Sequence, residues 1–331
     1  MRVVKYILVA AMLGVAVHAS AQDIHFSQPD VNPILFNPAY SGFFSGSGRF
    51  AVTYRNQWAS VTQAFQTIAA NGEYALSRRR YQRDGVSIGA AFFSDRAGTL
   101  NYGTTAATAV LSYYKSLNRY NNNFLSAGLS LGFAQSGFDP AQALMRDDEA
   151  FARATLLYPL FGLGVAWFCQ PHEHFYIKTA LSGQNLNRPA LSYTGEAPLG
   201  GHPACLERRY NMYLRAEYRV APSLAVQPLL AVQMQRNNSE VVVGTDMKWY
   251  LAELVGKGAA VSAGVAVRHA DAIIFSLTTE WTSLLFSFAY DSNFSKLVPA
   301  SHGVGAFEAS LVYHLSRSER VKRKALPCPI I

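Results

Sequence analysis

After a short N-terminal segment, the chain alternates apolar and polar side chains in runs of about ten residues, and each run ends at residues that favour turns. In the first run, one face holds Phe50, Val52 and Tyr54, and the other holds Arg49 and Arg55. A strand that crosses an outer membrane needs about 9 to 11 tilted residues, with one face toward lipid and the other toward the lumen. The pattern therefore predicts the strands of a membrane-spanning barrel.

The alternation predicts fourteen strands. They are expected near residues 48–58, 63–76, 85–94, 103–115, 123–135, 158–169, 173–182, 209–220, 223–235, 240–250, 259–268, 272–281, 283–291 and 304–315. An even number of strands places both ends of the barrel segment on one side, which in bacterial outer-membrane barrels is the periplasm. We therefore expect an all-β, transmembrane antiparallel β-barrel of about 14 strands with periplasmic N- and C-termini. The three longest gaps, at 136–157, 183–208 and 292–303, then lie at the outer end.

Two other folds compete with this prediction. Residues 272–290 are apolar enough to suggest a helix, but Glu280 lies at the centre, where a charge costs about 2.5 to 3.5 kcal/mol on insertion scales. A hairpin turn near Thr282 would instead place Glu280 close to an interface. A water-soluble β-protein would bury the apolar faces against each other, but small and charged residues on the opposite faces favour a lumen.

The first residues have the features of an export signal. Arg2 and Lys5 precede an apolar stretch over residues 6–17, and a small-x-small cleavage site ends at Ala21. We predict a signal peptide over residues 1–21, cleaved after Ala21. An uncleaved anchor helix is the alternative, but the apolar stretch is short for a membrane span.

The remaining chain divides into three predicted parts. Residues 22–47 form a periplasmic N-terminal arm or plug, residues 48–315 form the outer-membrane barrel, and residues 316–331 form a basic periplasmic tail. The arm contains the steps Asn32-Pro33 and Asn37-Pro38, and each proline disfavours helix at the residue before it. The apolar residues of the arm need cover, which the lumen or a partner protein would supply.

Composition and charge narrow the function classes. The chain is 50% hydrophobic and 15% charged, so it is too apolar to be disordered. Its net charge of +8 is spread along the sequence, so we expect no nucleic-acid partner. The clusters at Arg78, Arg79 and Arg80 and at residues 317–324 fall at predicted periplasmic ends. Each is interpreted either as a solvated or lipid-headgroup-contacting turn or as a docking site.

The sequence offers little evidence for a catalytic or a metal-binding site. Ser310 and His314 share an inward face, as an outer-membrane hydrolase would require, but residues four apart on a strand are about 13 Å apart. His172 and His174 flank Glu173 in a predicted turn, without a defined third ligand or the helix of H-E-x-x-H sites. No nucleotide-binding glycine motif is present. We therefore expect a protein that is not an enzyme, with no catalytic residues, cofactor or metal.

The three cysteines leave at least one free thiol. Cys169 and Cys205 are expected at opposite ends of the barrel, beyond the Cα separation of about 4.4 to 6.8 Å that a disulfide needs. Cys169 and Cys328 both fall on the predicted periplasmic side, so this pair alone is sterically conceivable.

Charged residues at inward positions predict a mixed-sign lumen network. Its expected members are Arg49, Arg55, Glu73, Arg215, Glu217, Asp246, Lys248, Arg268, Glu280 and Glu308. Open diffusion pores often separate their charges, whereas mixed charges can brace a narrow or occupied interior. The pattern favours a scaffold or a plugged barrel.

Several segments together resemble the PorP/SprF family of type IX secretion membrane proteins. They are Gln22–Gln28, Asn32–Gly42, Tyr54–Trp58, Ser94–Gly98, Phe288–Asn293, Gly305–Leu311 and Pro327–Pro329. The resemblance implies a non-enzymatic outer-membrane barrel of Bacteroidetes-type bacteria that works with the secretion and gliding machinery. It also implies partners: secreted cargo such as adhesins at the outer end, and periplasmic secretion-machine and peptidoglycan-linked proteins at the inner end.

With this resemblance, we expect partner contacts at a defined set of residues. They are Asn32, Pro33, Asn37, Pro38, Arg78, Arg79, Arg80, Asp291, Asn293 and Cys328. The arm, the arginine turn and the tail would meet periplasmic proteins, the long loops would meet cargo, and the apolar faces would meet outer-membrane lipid. An outer-membrane transport channel for small or hydrophobic solutes is the alternative function.

Overall fold

A single antiparallel sheet closes on itself, with each strand paired to its neighbours in chain order and the last strand paired to the first. The computed structural model describes residues 24–44, 46–58, 64–76, 84–98, 102–138, 154–192, 204–251, 258–295 and 303–315. The strands are β1 Gly48–Gln57, β2 Phe65–Ala75, β3 Asp84–Ala97, β4 Tyr102–Ser116, β5 Asn123–Gly137, β6 Thr155–His172, β7 Phe175–Gln184, β8 Arg209–Ala221, β9 Leu224–Gln235, β10 Asn238–Tyr250, β11 Ala259–Arg268, β12 Ala272–Trp281, β13 Leu284–Asn293 and β14 Val304–Leu315. The predicted closed barrel of fourteen strands is confirmed, and every predicted boundary lies within three residues of the observed one.

The two faces of each strand differ in exposure, as the alternation predicted. On β1, Phe50 and Val52 are 49% and 52% exposed, whereas Arg49 and Arg55 are 3% and 2% exposed. Apolar side chains can face outward because hydrocarbon, not water, surrounds a barrel of this kind. The inward faces hold the polar and charged residues, and these are buried because the lumen is filled.

The barrel has two unlike ends. We call the end at which β1 begins and β14 finishes the terminal end, and the opposite end, which carries the three longest connections, the loop end. Exposed aromatic residues ring both ends. At the terminal end they are Tyr74, Tyr113, Tyr218, Trp249, Trp281 and Tyr313, and at the loop end Tyr54, Phe133, Tyr210, Tyr290 and Phe307. Two such girdles mark the two lipid–water interfaces of a barrel in a bilayer.

The apolar stretch that suggested a helix forms a hairpin. β12 and β13 pair from Trp281 opposite Leu284 to Ala272 opposite Asn293, and Thr282 adopts φ 52° in the turn between them. Glu280 therefore lies next to the turn, where Lys248 donates to it at 2.6 Å. Among the described residues, no helix is long and apolar enough to cross a membrane.

Two short helical segments precede the barrel. α1 spans Pro33–Phe36, and a 3₁₀ turn follows at Pro38–Tyr40. Proline at the first position suits both, because its fixed φ matches a helix start and the missing N–H would have no partner there. Both segments lie inside the barrel, where the 3₁₀ turn packs against β4, β5 and β6.

Candidate functional site: the plugged lumen

The N-terminal arm, residues 24–44, runs through the lumen from one end to the other. At the loop end, Arg209, the first residue of β8, donates to the carbonyl oxygen of Ile24 at 2.8 Å. Toward the terminal end, the amide of Gly42 donates to Glu73, two residues before β2 finishes. Phe43 stacks on Phe168 near the end of β6, with ring centroids 3.6 Å apart. The arm therefore occupies the lumen as a plug and does not lie beneath it.

The two Asn-Pro steps fasten the plug to the wall. The Asn32 side chain donates to Thr53 at 2.8 Å and accepts from Asn71 at 2.7 Å. The Asn37 side chain donates to the carbonyl oxygens of Val165 and Leu181, and it accepts from the amide of Ala39 in the 3₁₀ turn. An asparagine before a proline can thus cap the turn and hold neighbouring strands at the same time.

Glycines on the wall make room for the plug. A β-carbon added to Gly128 of β5 would lie 2.4 to 2.6 Å from backbone atoms of Pro38 and Ala39. One added to Gly164 of β6 would lie 2.0 Å from the Asn37 side-chain oxygen. Such distances are below van der Waals contact, so the arm can approach these strands only where the side chain is a hydrogen atom.

A first charged cluster is centred on Asp30 of the arm. Its carboxylate accepts from Lys178, from the Tyr213 hydroxyl and, at 2.8 Å, from Arg215. Arg215 also pairs with Asp246 of β10. The Asp30 carboxylate thus compensates the charge of two buried cations, and this compensation offsets the cost of removing them from water.

A second charged cluster surrounds Ser27 near the loop end. The Ser27 amide donates to Glu308 at 2.9 Å, and its hydroxyl donates to Asp291 at 2.7 Å. Arg55 pairs with Asp291 at 2.9 Å and with Glu308 at 3.2 Å, and Arg268 pairs with Asp291 at 2.9 Å. The side chains of the two arginines and the two carboxylates are at most 3% exposed. Arm and wall are therefore joined by charge-assisted hydrogen bonds in a dry environment.

The other members of the predicted lumen network also face inward. Arg49 pairs with Glu73 at 3.0 Å and donates to the carbonyl oxygen of Val31 at 2.6 Å. Lys248 pairs with Glu280, and Glu217 accepts hydrogen bonds from Gln227 and Tyr250. Sequence reasoning did not single out Asp30. One acidic residue in a segment without periodicity gave no signal that it would meet Lys178 and Arg215.

The residues predicted to bind partners are placed differently from one another. Asn32, Pro33, Asn37, Pro38, Asp291 and Asn293 are buried, and the side chains of Asn32, Asn37 and Asp291 are held by the contacts described above. Asp291 belongs to the Ser27 cluster and so to the lumen network. This geometry makes the four arm residues parts of the plug. Arg78, Arg79, Arg80 and Cys328 lie outside the described residues, as do the predicted signal peptide and tail.

The residues considered as catalytic or metal-binding candidates, and the cysteines, have surroundings typical of structural or surface residues. Ser310 forms a hydrogen bond with Thr53 at 2.8 Å, so its hydroxyl belongs to the packing between β14 and β1. His172, Glu173 and His174 are exposed around the turn after β6. No group of three or more metal-ligating side chains occurs among the described residues. Cys169 and Cys205, on β6 and near the start of β8, are free thiols.

Two cavities flank the plug. The first, with about 810 Å³ of empty space that includes space open to solvent, is lined by charged residues such as Arg215, Asp246 and Lys248 together with apolar residues such as Leu229, Ile274 and Val312. The second, measured in the same way at about 980 Å³, lies toward the loop end and is mainly apolar. We call the second the loop-end pocket; it is lined by Ile24, Leu35, Phe93, Leu160, Leu191 and Leu206, among others. The plug contributes Ile24, Ile34 and Leu35 to this lining.

The buried charges give a direct test of the network. We expect Arg55→Met to lower the free energy of unfolding by about 3–5 kcal/mol, because it leaves Glu308 buried without its cation. Urea titration of the purified barrel in lipid would measure this. The matched control is Arg188→Met at the exposed Arg188–Glu207 pair, where solvent screens the interaction and a small change is expected. Equal changes in the free energy of unfolding for both substitutions would contradict a stabilising role of the buried cluster around Ser27.

A closed antiparallel barrel with an apolar outer face, two aromatic girdles and a polar lumen defines a protein of the outer-membrane barrel class. The model of the type IX secretion system membrane protein PorP/SprF family matches residues 18–313. The chain therefore belongs to the PorP/SprF family, as its sequence motifs indicated.

Solved structures with a similar fold are distant in sequence. The toluene transporter TbuX of Ralstonia pickettii is 10% identical, with 86% of this chain and 92% of that chain covered and a TM-score of 0.50. The P. putida toluene transporter TodX is 8% identical, with 86% and 94% covered and a TM-score of 0.49. At such identities the likeness concerns the fold alone. No curated protein matches this chain.

Proposed function

We propose that this protein is a closed, non-enzymatic outer-membrane component of the type IX secretion machinery. In this role it anchors large secreted surface proteins such as adhesins, or assists their export, and couples them to periplasmic proteins of the machine. Family membership supports a place in the machinery. The cargo and the coupling role are parts of the proposal.

The plug is the observation that carries the proposal. Within the part of the chain that the structure describes, the arm forms hydrogen bonds with at least ten of the fourteen strands, β1 to β4, β6 to β8, β11, β13 and β14. A chain segment bonded around most of the wall blocks passage of a polypeptide. A barrel of this kind is suited to holding other proteins at its two ends.

Purification from the native membrane in mild detergent would test the proposal. We expect a secreted surface protein and periplasmic machine proteins to be recovered with the barrel. Two matched variants separate the ends of the molecule. Replacing residues 193–203 with a Gly-Ser linker of equal length should release the surface protein, and removing residues 316–331 should release the periplasmic proteins. Recovery of the intact barrel alone would contradict the proposed function.

The loop-end pocket favours a second candidate, an apolar-solute channel, because apolar side chains such as Phe93, Leu160 and Leu206 contribute to its lining beside the polar ones. Uptake of toluene into vesicles that contain the full chain would support this candidate. The plug predicts no uptake, since the arm that contributes Ile34 and Leu35 to the pocket lining runs through the lumen.

A further inference from the structure

Three exposed arginines lie at the loop end, where β7 and β9 finish and β8 begins. Arg188 follows β7, Arg208 directly precedes β8, and Arg236 directly follows β9. Because Arg209 and Gln235 are paired across β8 and β9, Arg208 and Arg236 occupy the next position on each strand. We call Arg188, Arg208 and Arg236 the rim arginine patch.

The rim arginine patch carries more positive than negative charge. Arg188 donates to Glu207, the neighbour of Arg208, at 2.7 Å. Arg208 donates to the carbonyl oxygen of Leu186 at 3.3 Å, close to Arg188 in the chain. Among the residues that the structure describes, neither Arg208 nor Arg236 forms an ion pair, so Glu207 offsets one of the three cations.

The backbone does not favour arginine at two of the three positions. Arg188 has φ 45° and Arg236 has φ 54°, both in the left-handed region. Glycine and asparagine adopt this region more readily than a residue with a long side chain. Any advantage of arginine at these positions must therefore come from the guanidinium group.

The patch lies next to the aromatic girdle of the loop end, on the side away from the apolar band. Tyr210 and Met234, each 52% exposed, pair across β8 and β9. Arg208 and Arg236 lie two positions farther along these strands, and two strand residues span about 7 Å. Long arginine side chains at this height reach the lipid headgroups, while Tyr210 and Met234 face the acyl chains.

We propose that the rim arginine patch binds the phosphate group of a phosphorylated glycolipid of the outer leaflet. Guanidinium groups bind phosphate through paired hydrogen bonds. A phosphate between Arg208 and Arg236 also relieves the repulsion between like charges on adjoining strands. Long connections are typical of the extracellular side of bacterial outer-membrane barrels, and the loop end carries the three longest. The proposal goes beyond the proposed function, because it concerns lipid and holds whichever protein the barrel carries.

Charge-matched variants of the full chain test this proposal. The patch variant carries Arg208→Gln and Arg236→Asn, and asparagine suits the left-handed backbone at position 236. The control variant carries Arg96→Gln and Arg119→Gln, which remove two charges from exposed positions outside the patch. Heat-modifiable mobility on a gel confirms that each purified barrel is folded.

Binding is measured with four probes in detergent solution. They are purified lipid A, lipid A from which the phosphate groups have been removed, inorganic phosphate, and a soluble polyglutamate peptide. Native mass spectrometry gives the fraction of barrel that carries each probe as its concentration is raised.

We expect lipid A to bind the unchanged barrel and the control variant equally, and to bind the patch variant roughly 30-fold more weakly. Removal of the phosphate groups should weaken binding to the unchanged barrel by a similar factor. If the patch variant does not fold, Arg236→Asn alone should weaken the binding of lipid A roughly fivefold.

Four results would overturn the proposal. Two are equal affinities of the patch and control variants for lipid A, and equal affinities of the unchanged barrel for the two forms of lipid A. The third is binding of inorganic phosphate as tight as that of lipid A, which would indicate a site for a free anion. The fourth is tighter binding of polyglutamate than of lipid A, which would indicate an acidic polypeptide as the ligand.

Discussion

Removal of residues 24–44 is expected to turn a closed barrel into one that conducts ions. The wall strands pair with each other through a complete ladder, so the barrel can close without the arm. The space that the arm fills would then admit water, because the wall around it is polar and charged. In planar lipid bilayers, the full chain should give background current, and the shortened chain should give a stable open-channel current.

A locked arm is the matched control for that experiment. The hydroxyl oxygens of Ser41 on the arm and Ser87 on β3 are 2.8 Å apart, so cysteines at these positions are close enough to be joined. With the native cysteines replaced by serine, the oxidised Ser41→Cys, Ser87→Cys variant should remain closed. A folded barrel that lacks residues 24–44 and carries no more current than the locked one would contradict the plug as the barrier.

The strands could be predicted from the sequence because their signal is local. Each residue of a strand points to the opposite face from its neighbour, so Phe50, Val52 and Tyr54 reveal the lipid face without knowledge of any partner strand. The same local rule selects Arg49 and Arg55 as inward residues. Pairing of consecutive strands then follows, because short turns bring neighbours together in an antiparallel sheet.

The path of the arm could not be predicted, because its contacts are distant in sequence. Ser27 bonds Glu308 across 281 positions, and Asp30 bonds Lys178 across 148 positions. Neither Ser27 nor Asp30, the two arm residues of these pairs, belongs to a repeating pattern. The two Asn-Pro steps indicated an irregular segment, and its apolar side chains indicated that it must be buried against something. The same local conformation is compatible with a position inside the lumen or below it. Only the long-range pairs decide between them.

The charged residues of the wall interact with the plug and favour one position of it in the lumen. Lys178 and Arg215 lie next to Asp30, and Arg55 and Arg268 surround Ser27. Oriented polar groups of this kind favour one position of the arm, because a shift along the lumen would leave buried charges without partners. Apolar packing alone, such as Phe43 on Phe168, would tolerate small shifts more readily.

Adding a methyl group to Gly128 is expected to lower the free energy of unfolding when the arm is present and to raise it when the arm is absent. In the full chain, Gly128→Ala should lower the free energy of unfolding by about 1–3 kcal/mol, because the new β-carbon would lie 2.4 to 2.6 Å from the backbone of Pro38 and Ala39. In the barrel that lacks residues 24–44, the same change should raise it by about 0.5–1 kcal/mol, since alanine loses less conformational freedom than glycine in a strand.

The double-mutant cycle isolates the contact between plug and wall, because Gly128→Ala is compared with itself in the two backgrounds. Urea titration in lipid vesicles measures all four proteins. Gly164→Ala provides an independent repeat at β6, where the nearest atoms to an added β-carbon also belong to the arm, at Asn37 and Pro38. Equal destabilisation of both backgrounds by either substitution would mean that the strand itself requires the glycine, independently of any contact with the arm. A reversal of sign at both positions requires that the arm lie against β5 and β6 inside the folded barrel.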